Sequence, residues 1–289
     1  MQRLLVATDL SERSNLAVRR AGRLARDLGA DLMLLHVVDN DRPEQFISAE
    51  IASAQQLLDT TAASMLQDVK CETLVELGDP FDGISNVAKR SAVDLIVMGA
   101  HRKQLLREIF VGTSIERVTR QRIAPVLMVN TDVADPYRQS VVAIDLSQHS
   151  GHALKTAHAL GMFSNANIVV VHAFNVFAKG KMSYAGVDSD TIQRHTEQTA
   201  KDARAEVRAF LKVLAVDVAH YSVRVKEGRP ADVIKQISSA EDADLVVLAT
   251  HGRTGVLKFL LGSVTEEVMA SINCDVLVVP SRPQDESVS

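Results

Sequence analysis

Val6-Ala7-Thr8-Asp9-Leu10-Ser11 returns, 136 positions later, as Val142-Ala143-Ile144-Asp145-Leu146-Ser147. His36, which closes the run Leu32-Met33-Leu34-Leu35, recurs as His172 in the same register. Farther along, Gly78 matches Gly228, His101 matches His251 and Gly112 matches Gly262, each pair 150 positions apart. The halves therefore stay in register apart from one net insertion of 14 residues between His172 and Gly228. A period this long repeats a whole domain, not a short solenoid unit. Any site is then written twice, and each copy serves as a control on the other.

Within each copy, apolar runs alternate with helical spacing. The first copy reads as strands at Arg3–Ala7, Leu32–Val38, Thr73–Leu77, Leu95–Met98 and Val126–Val129. The second repeats them at Val141–Ile144, Ile168–Val171, Ser222–Val225, Leu245–Leu248 and Val276–Val279. Leu16, Arg20, Leu24 and Leu28 share a helical face, with Ser11 or Ser14 as cap and Gly29 as terminator. Strands without polar alternation, separated by helices, predict a parallel sheet covered on both faces. Right-handed crossovers then give a doubly wound α/β sandwich of about five strands per copy. The predicted domains span 1–131 and 138–281, with Thr131 to Pro136 as the linker and Ser281–Ser289 as an unstructured tail. Val126–Val129 and Val276–Val279 are apolar edge strands that call for a partner, which predicts that the domains pack on each other as a pseudo-dimer.

Composition narrows the function. The 289 residues are 46% hydrophobic and 24% charged, enough for two cores. A net charge of −4 argues against a dedicated nucleic-acid binder, and no apolar run is long enough to span a bilayer. Met1-Gln2-Arg3 leads straight into a strand, so a cytoplasmic chain without a signal peptide is expected. Cys71 and Cys274 stand apart from any CxxC or Cys/His cluster and read as free thiols.

In a doubly wound sheet, ligands gather at the carboxyl ends of the strands where strand order reverses. Asp9 and Asp145 end the first strand of each copy, and they either cap the turn into the next helix or contact a ligand. His36-Val37 and His172-Ala173 end the second strand, where a hydrogen-bonded structural histidine is the simpler reading. The loop after the fourth strand carries the strongest signal. In the second copy it runs Ala249-Thr250-His251-Gly252-Arg253-Thr254-Gly255, and Gly262-Ser263-Val264-Thr265 opens a helix. Glycines let backbone approach a ligand with its N–H groups turned inward, and a helix start supplies oriented donors to an anion. The first copy has Gly99-Ala100-His101-Arg102 and Gly112-Thr113, so Arg102 occupies the place of Gly252.

These loops resemble the G-x2-G-x9-G-[S/T] pattern of ATP-binding members of the universal stress protein family. The resemblance covers both halves almost end to end. The second copy matches at Gly252, Gly262 and Ser263, with Ala249 for the first glycine; the first matches at Gly99, Gly112 and Thr113. It implies the adenine nucleotide alpha hydrolase-like fold, domains paired through their last strands, and ATP as ligand, with or without magnesium. By the resemblance, adenine would lie beside Ala173 and Leu248 in the second copy, ribose near Asp145, and phosphates at Gly252, Arg253, Gly262 and Ser263. Asp9, Val37, Gly99, Gly112 and Thr113 would form a degenerate first site. The implied role is a stress-response regulatory module whose partner is an adenine nucleotide.

Other readings stay open. A slow ATP hydrolase would draw on His251, although no Walker-type lysine loop is present. A scaffold that binds no nucleotide is favoured by Arg102 and Ala249. A further homodimer is neither required nor excluded. The insertion around Ala178 to Gly186 is a solvent loop or a flap presenting Lys179 and Lys181 to an anion. His149 and His152 near a helix start read as a solvated face and not as a metal pair.

Overall fold

The structure is a computed structural model; it describes residues 3–41, 43–100, 113–132, 135–176, 184–214, 221–251 and 261–281. The first half runs β1 (Arg3–Ala7), α1 (Ser14–Leu28), β2 (Asp31–Val38), α2 (Glu44–Met65), β3 (Cys71–Leu77), α3 (Pro80–Arg90), β4 (Leu95–Gly99), α4 (Ser114–Arg120) and β5 (Val126–Val129). The second runs β6 (Gln139–Ala143), α5 (Gln148–Ala159), β7 (Asn167–Phe174), α6 (Ser189–Val213), β8 (Tyr221–Glu227), α7 (Pro230–Ala240), β9 (Leu245–Ala249), α8 (Ser263–Ser271) and β10 (Asp275–Val279).

Local chemistry sets the element ends. Gly29 takes φ 60° after α1, where its N–H reaches back to Ala25 and Arg26, a left-handed cap that glycine adopts without penalty. Ser147 caps α5 by accepting the Ser150 N–H, and Ser11 does the same for Ser14 ahead of α1. Asp79 caps α3 from the Phe81 and Asp82 amides, with Pro80 in the first turn.

The strands form one ten-stranded sheet in the order β3-β2-β1-β4-β5-β10-β9-β6-β7-β8. Neighbours are parallel within each half, and β5 lies antiparallel to β10 in the register Val276↔Met128, Leu277↔Leu127, Val278↔Val126. The central strands bury both faces, as their unbroken apolar runs require. One core layer joins the sheet to α1 and α5 across both halves, and the other joins it to α3, α4, α7 and α8. In each half the connection from β1 leads outward to β2 and that from β3 returns to β4, so order reverses between β1 and β4, and between β6 and β9.

Arginines of the first half cross to acceptors of the second. Arg20 donates to Asp275, which also accepts from the Tyr137 hydroxyl at 2.8 Å and the Asn130 and Thr131 amides at 2.9 and 3.2 Å. Arg120 bridges Glu116 on its own helix and Glu266 on α8. Arg122 reaches His251. The register-equivalent positions in the second half are Thr156, Ala270 and Ile272, so none of these contacts has a mirror image.

Ser281, the boundary residue shared by the predicted second domain and the predicted tail, is buried, and its N–H donates to Thr250 Oγ1; residues 282–289 lie outside the described residues. Lys179 and Lys181 of the insertion lie outside the described residues.

Candidate functional site

Asp145 follows β6, Ala173 sits near the end of β7, and Ala249 ends β9, so three adjacent parallel strands bring them to one sheet end at the reversal of strand order. Asp9, Val37 and Gly99 take the matching places in the first half.

Each aspartate is held by the turn that follows it. Asp145 Oδ1 accepts the Ser147 N–H at 3.0 Å and its hydroxyl at 2.5 Å; Asp9 does the same with Ser11 at the same distances. The intervening Leu10 and Leu146 adopt φ 61° and 65°, a left-handed conformation costly for a branched residue and built identically in both domains. Each aspartate thus closes the turn into the helix that follows it. For Asp9, burial works to raise the carboxyl pKa, but hydrogen bonds from the Ser11 side chain and backbone and from Ser14 outweigh it and hold the group below its ordinary value.

The histidines are structural. His36 Nδ1 donates to the Thr8 carbonyl at 2.8 Å and His172 Nδ1 to the Ile144 carbonyl at 2.7 Å, each tying β2 or β7 to the turn before its aspartate. Val37 lies under α3, where a Cβ on Gly83 would come within 2.8 Å of its methyl. The second domain reverses the sizes, with Ala173 for Val37 and Val233 for Gly83. Leu248 is buried in the core, so its side chain is committed to packing.

The loop base separates the two copies. Gly262 donates its N–H to the Thr250 carbonyl at 2.8 Å, and a Cβ there would stand 3.0 Å from that oxygen and 3.8 Å from His251 Cα. Glycine is needed because two chain segments touch. Gly262 also stands at the N-cap of α8 and has no side chain to offer the first amides of that helix. In the first domain Thr113 caps α4 and accepts the Glu116 N–H at 3.3 Å. Ser263 is exposed and Val264 half-buried at the α8 start. Gly99 packs against α1, where a Cβ would stand 3.3 Å from Ser14 Cα; Ala249 carries that methyl in the second domain, and its carbonyl accepts from Thr265 at 2.8 Å. Gly112, Gly252 and Arg253 lie outside the described residues.

Sequence reasoning missed Thr250 and Arg122. The Thr250 hydroxyl lies 3.1 Å from His251 Nδ1 and accepts from the Ser281 amide, and Arg122 Nη2 lies 3.0 Å from His251 Nε2 and 3.4 Å from Nδ1. No group of three or more His, Cys, Asp or Glu side chains suits a metal among the described residues. None of their helices is long and apolar enough to cross a membrane.

The sequence profile of the Universal stress protein family matches twice, over residues 1–130 and 136–280. The chain belongs to the universal stress protein family. Its two copies are two such domains in tandem. A universal stress protein of Thermus aquaticus is 32% identical over 145 residues, which is 50% of this chain and 98% of the relative. A universal stress protein of Synechocystis is 29% identical over 150 residues, 50% of this chain and 97% of the relative. Among solved structures, a universal stress protein from Archaeoglobus fulgidus aligns with a TM-score of 0.74 at 19% identity, over 98% of this chain and 97% of that one, a likeness of fold.

Proposed function

We propose that this tandem universal stress protein is a nucleotide-binding regulatory module, with ATP in the second domain. The observation that carries the reading is the α8 start: Gly262 is pressed against Thr250 and, as a glycine, puts no hydroxyl over the first helical amides where Thr113 does so for α4. Such a terminus favours an anion through its oriented N–H groups and its positive dipole end. Asp145, Ala173 and Ala249 lie at the same sheet end, where a ribose and a base would be held. Gly252, Arg253 and Ser263 would complete the phosphate contacts, and Asp145 with phosphate oxygens suits a hard cation such as magnesium. In the first domain the Thr113 hydroxyl already occupies the helix start, and Arg102 replaces the loop glycine, which supports a domain that has given up the ligand.

Calorimetric titration with ATP and magnesium tests this on the wild type and on Gly252→Arg and Gly112→Arg. One equivalent bound, and lost only in Gly252→Arg, is the expected result. Absence of binding in the wild type refutes the reading and leaves a scaffold independent of nucleotide.

A further inference from the structure

Among the described residues, the sheet ends at β3 in the first domain and at β8 in the second. The Lys70 carbonyl and the Gly78 amide both bond to β2, so the two-residue alternation of a strand turns the N–H and C=O groups of Thr73, Val75 and Leu77 outward. The Gly228 amide bonds to the end of β7, which turns those of Val223 and Val225 outward on β8. Such an edge is a template for a further strand. Apolar surface gathers at the same two places. Among the described residues, the large hydrophobic side chains left exposed are Phe46, Leu57, Leu77, Tyr184 and Val213. Phe46 and Leu57 lie on α2, which packs on β3; Val213 lies on α6, which packs on β8, and Tyr184 shortly precedes α6.

Charge decides which edge fits which. α2 and β3 carry Glu44, Glu50, Asp59, Glu72 and Glu76 with no lysine or arginine, whereas basic side chains outnumber acidic ones on α6 and β8. Glu72 and Glu76 alternate onto the sheet face that carries α3, where Arg90 holds Glu76. Arg224 and Lys226 alternate onto the face that carries α7, where Glu241 holds Arg224. α3 and α7 belong to one layer. Because β5 and β10 are antiparallel, the strands of the two halves run in opposite directions. The β8 edge of one copy laid beside the β3 edge of the next therefore makes an antiparallel pair with these faces matched. Val75 set opposite Val225 puts Glu76 opposite Arg224 and Lys226 diagonal to both acids; a shift of two residues puts Glu72 opposite Lys226. Pairing β3 with β3, or β8 with β8, sets like charges together, which is destabilising.

We propose that this chain associates head-to-tail with further copies of itself, the β3 edge of one copy adding antiparallel to the β8 edge of the next. A contact between two different surfaces does not close at two copies; it builds a ring or an open row.

Sedimentation equilibrium of the full chain, run over a concentration series up to the solubility limit at low and high salt, tests this. The weight-average mass should climb with concentration past that of two copies and fall back as salt screens the paired edges. Amide exchange at Val75 and Val225 should slow over the same series, because their outward groups become paired. Glu72 and Lys226 are exposed, so Glu72→Lys and Lys226→Glu should keep the wild-type circular dichroism and thermal midpoint. Each alone should weaken association about tenfold, whereas their equimolar mixture and the double variant Glu72→Lys/Lys226→Glu should recover to within about threefold of wild type. A single copy at every concentration overturns the proposal. A mass that stops at two copies overturns it in favour of a two-fold contact, and association untouched by either charge reversal overturns it in favour of another surface.

Discussion

Asp275→Ala removes the acceptor at the centre of the buried contact between the two halves. Arg20 and Asp275 are 2% and 0% exposed, and their groups meet at 3.1 Å. The same carboxylate takes the Tyr137 hydroxyl and the Asn130 and Thr131 amides, and Arg20 also lies over the Tyr137 ring at 4.3 Å. Removing one member of such a pair leaves the other charge buried without compensation, which costs about 3–5 kcal/mol. Against a typical domain stability of about 5–15 kcal/mol, that is a large fraction. The loss should appear in urea unfolding followed by circular dichroism, and amide exchange should accelerate first along β5 and β10. The double variant Arg20→Met/Asp275→Leu removes both charges and should cost less than Asp275→Ala alone, because apolar replacement of a whole buried pair is often close to neutral. The orphaned Asn130 and Thr131 amides keep it from being free of cost, at about 1–3 kcal/mol for each buried unsatisfied group. An Asp275→Ala cost below about 1 kcal/mol, or a double variant as damaging as the two single losses combined, would refute the reasoning.

Asp9 gives a pH signature. Its carboxyl is held below the ordinary 3.8 in the folded state, so its contribution is present above that value and disappears as pH falls through the lower folded one. Asp9→Asn should flatten this part of the acid-unfolding profile, and an unchanged profile argues against the Ser11 turn as its cause. Cys71 is pushed up to about 11, first by burial and then by the neighbouring Glu72 charge. Alkylation at pH 8, resolved by mass spectrometry, should run about 100-fold slower at Cys71 than at an unperturbed thiol, and rapid labelling would contradict its placement.

Much of the candidate site was legible because its signals are local. Asp-Leu-Ser after a buried strand is a turn with its own hydrogen bonds, so Asp9 and Asp145 could be placed from six residues of sequence. Gly262 was picked out by its register with Gly112, although the sequence could not say that Thr250 is what requires it. Arg20 was visible as a charge on an apolar helical face, without any sign of its partner.

The repeat, the parallel strand sets and the glycine-bearing turns follow from the amino-acid sequence by itself, since hydrophobic period and turn chemistry act over a few neighbouring residues. Tertiary structure alone decided what faces what across the halves: Arg20 with Asp275, 255 positions apart, and Arg122 with His251, 129 apart. The same holds for Ser281 at the domain boundary, whose N–H is taken by the hydroxyl of Thr250, 31 positions away. Pairings of this kind depend on two surfaces being brought together by the sheet, and a charge in a sequence carries no record of the distant group that neutralises it.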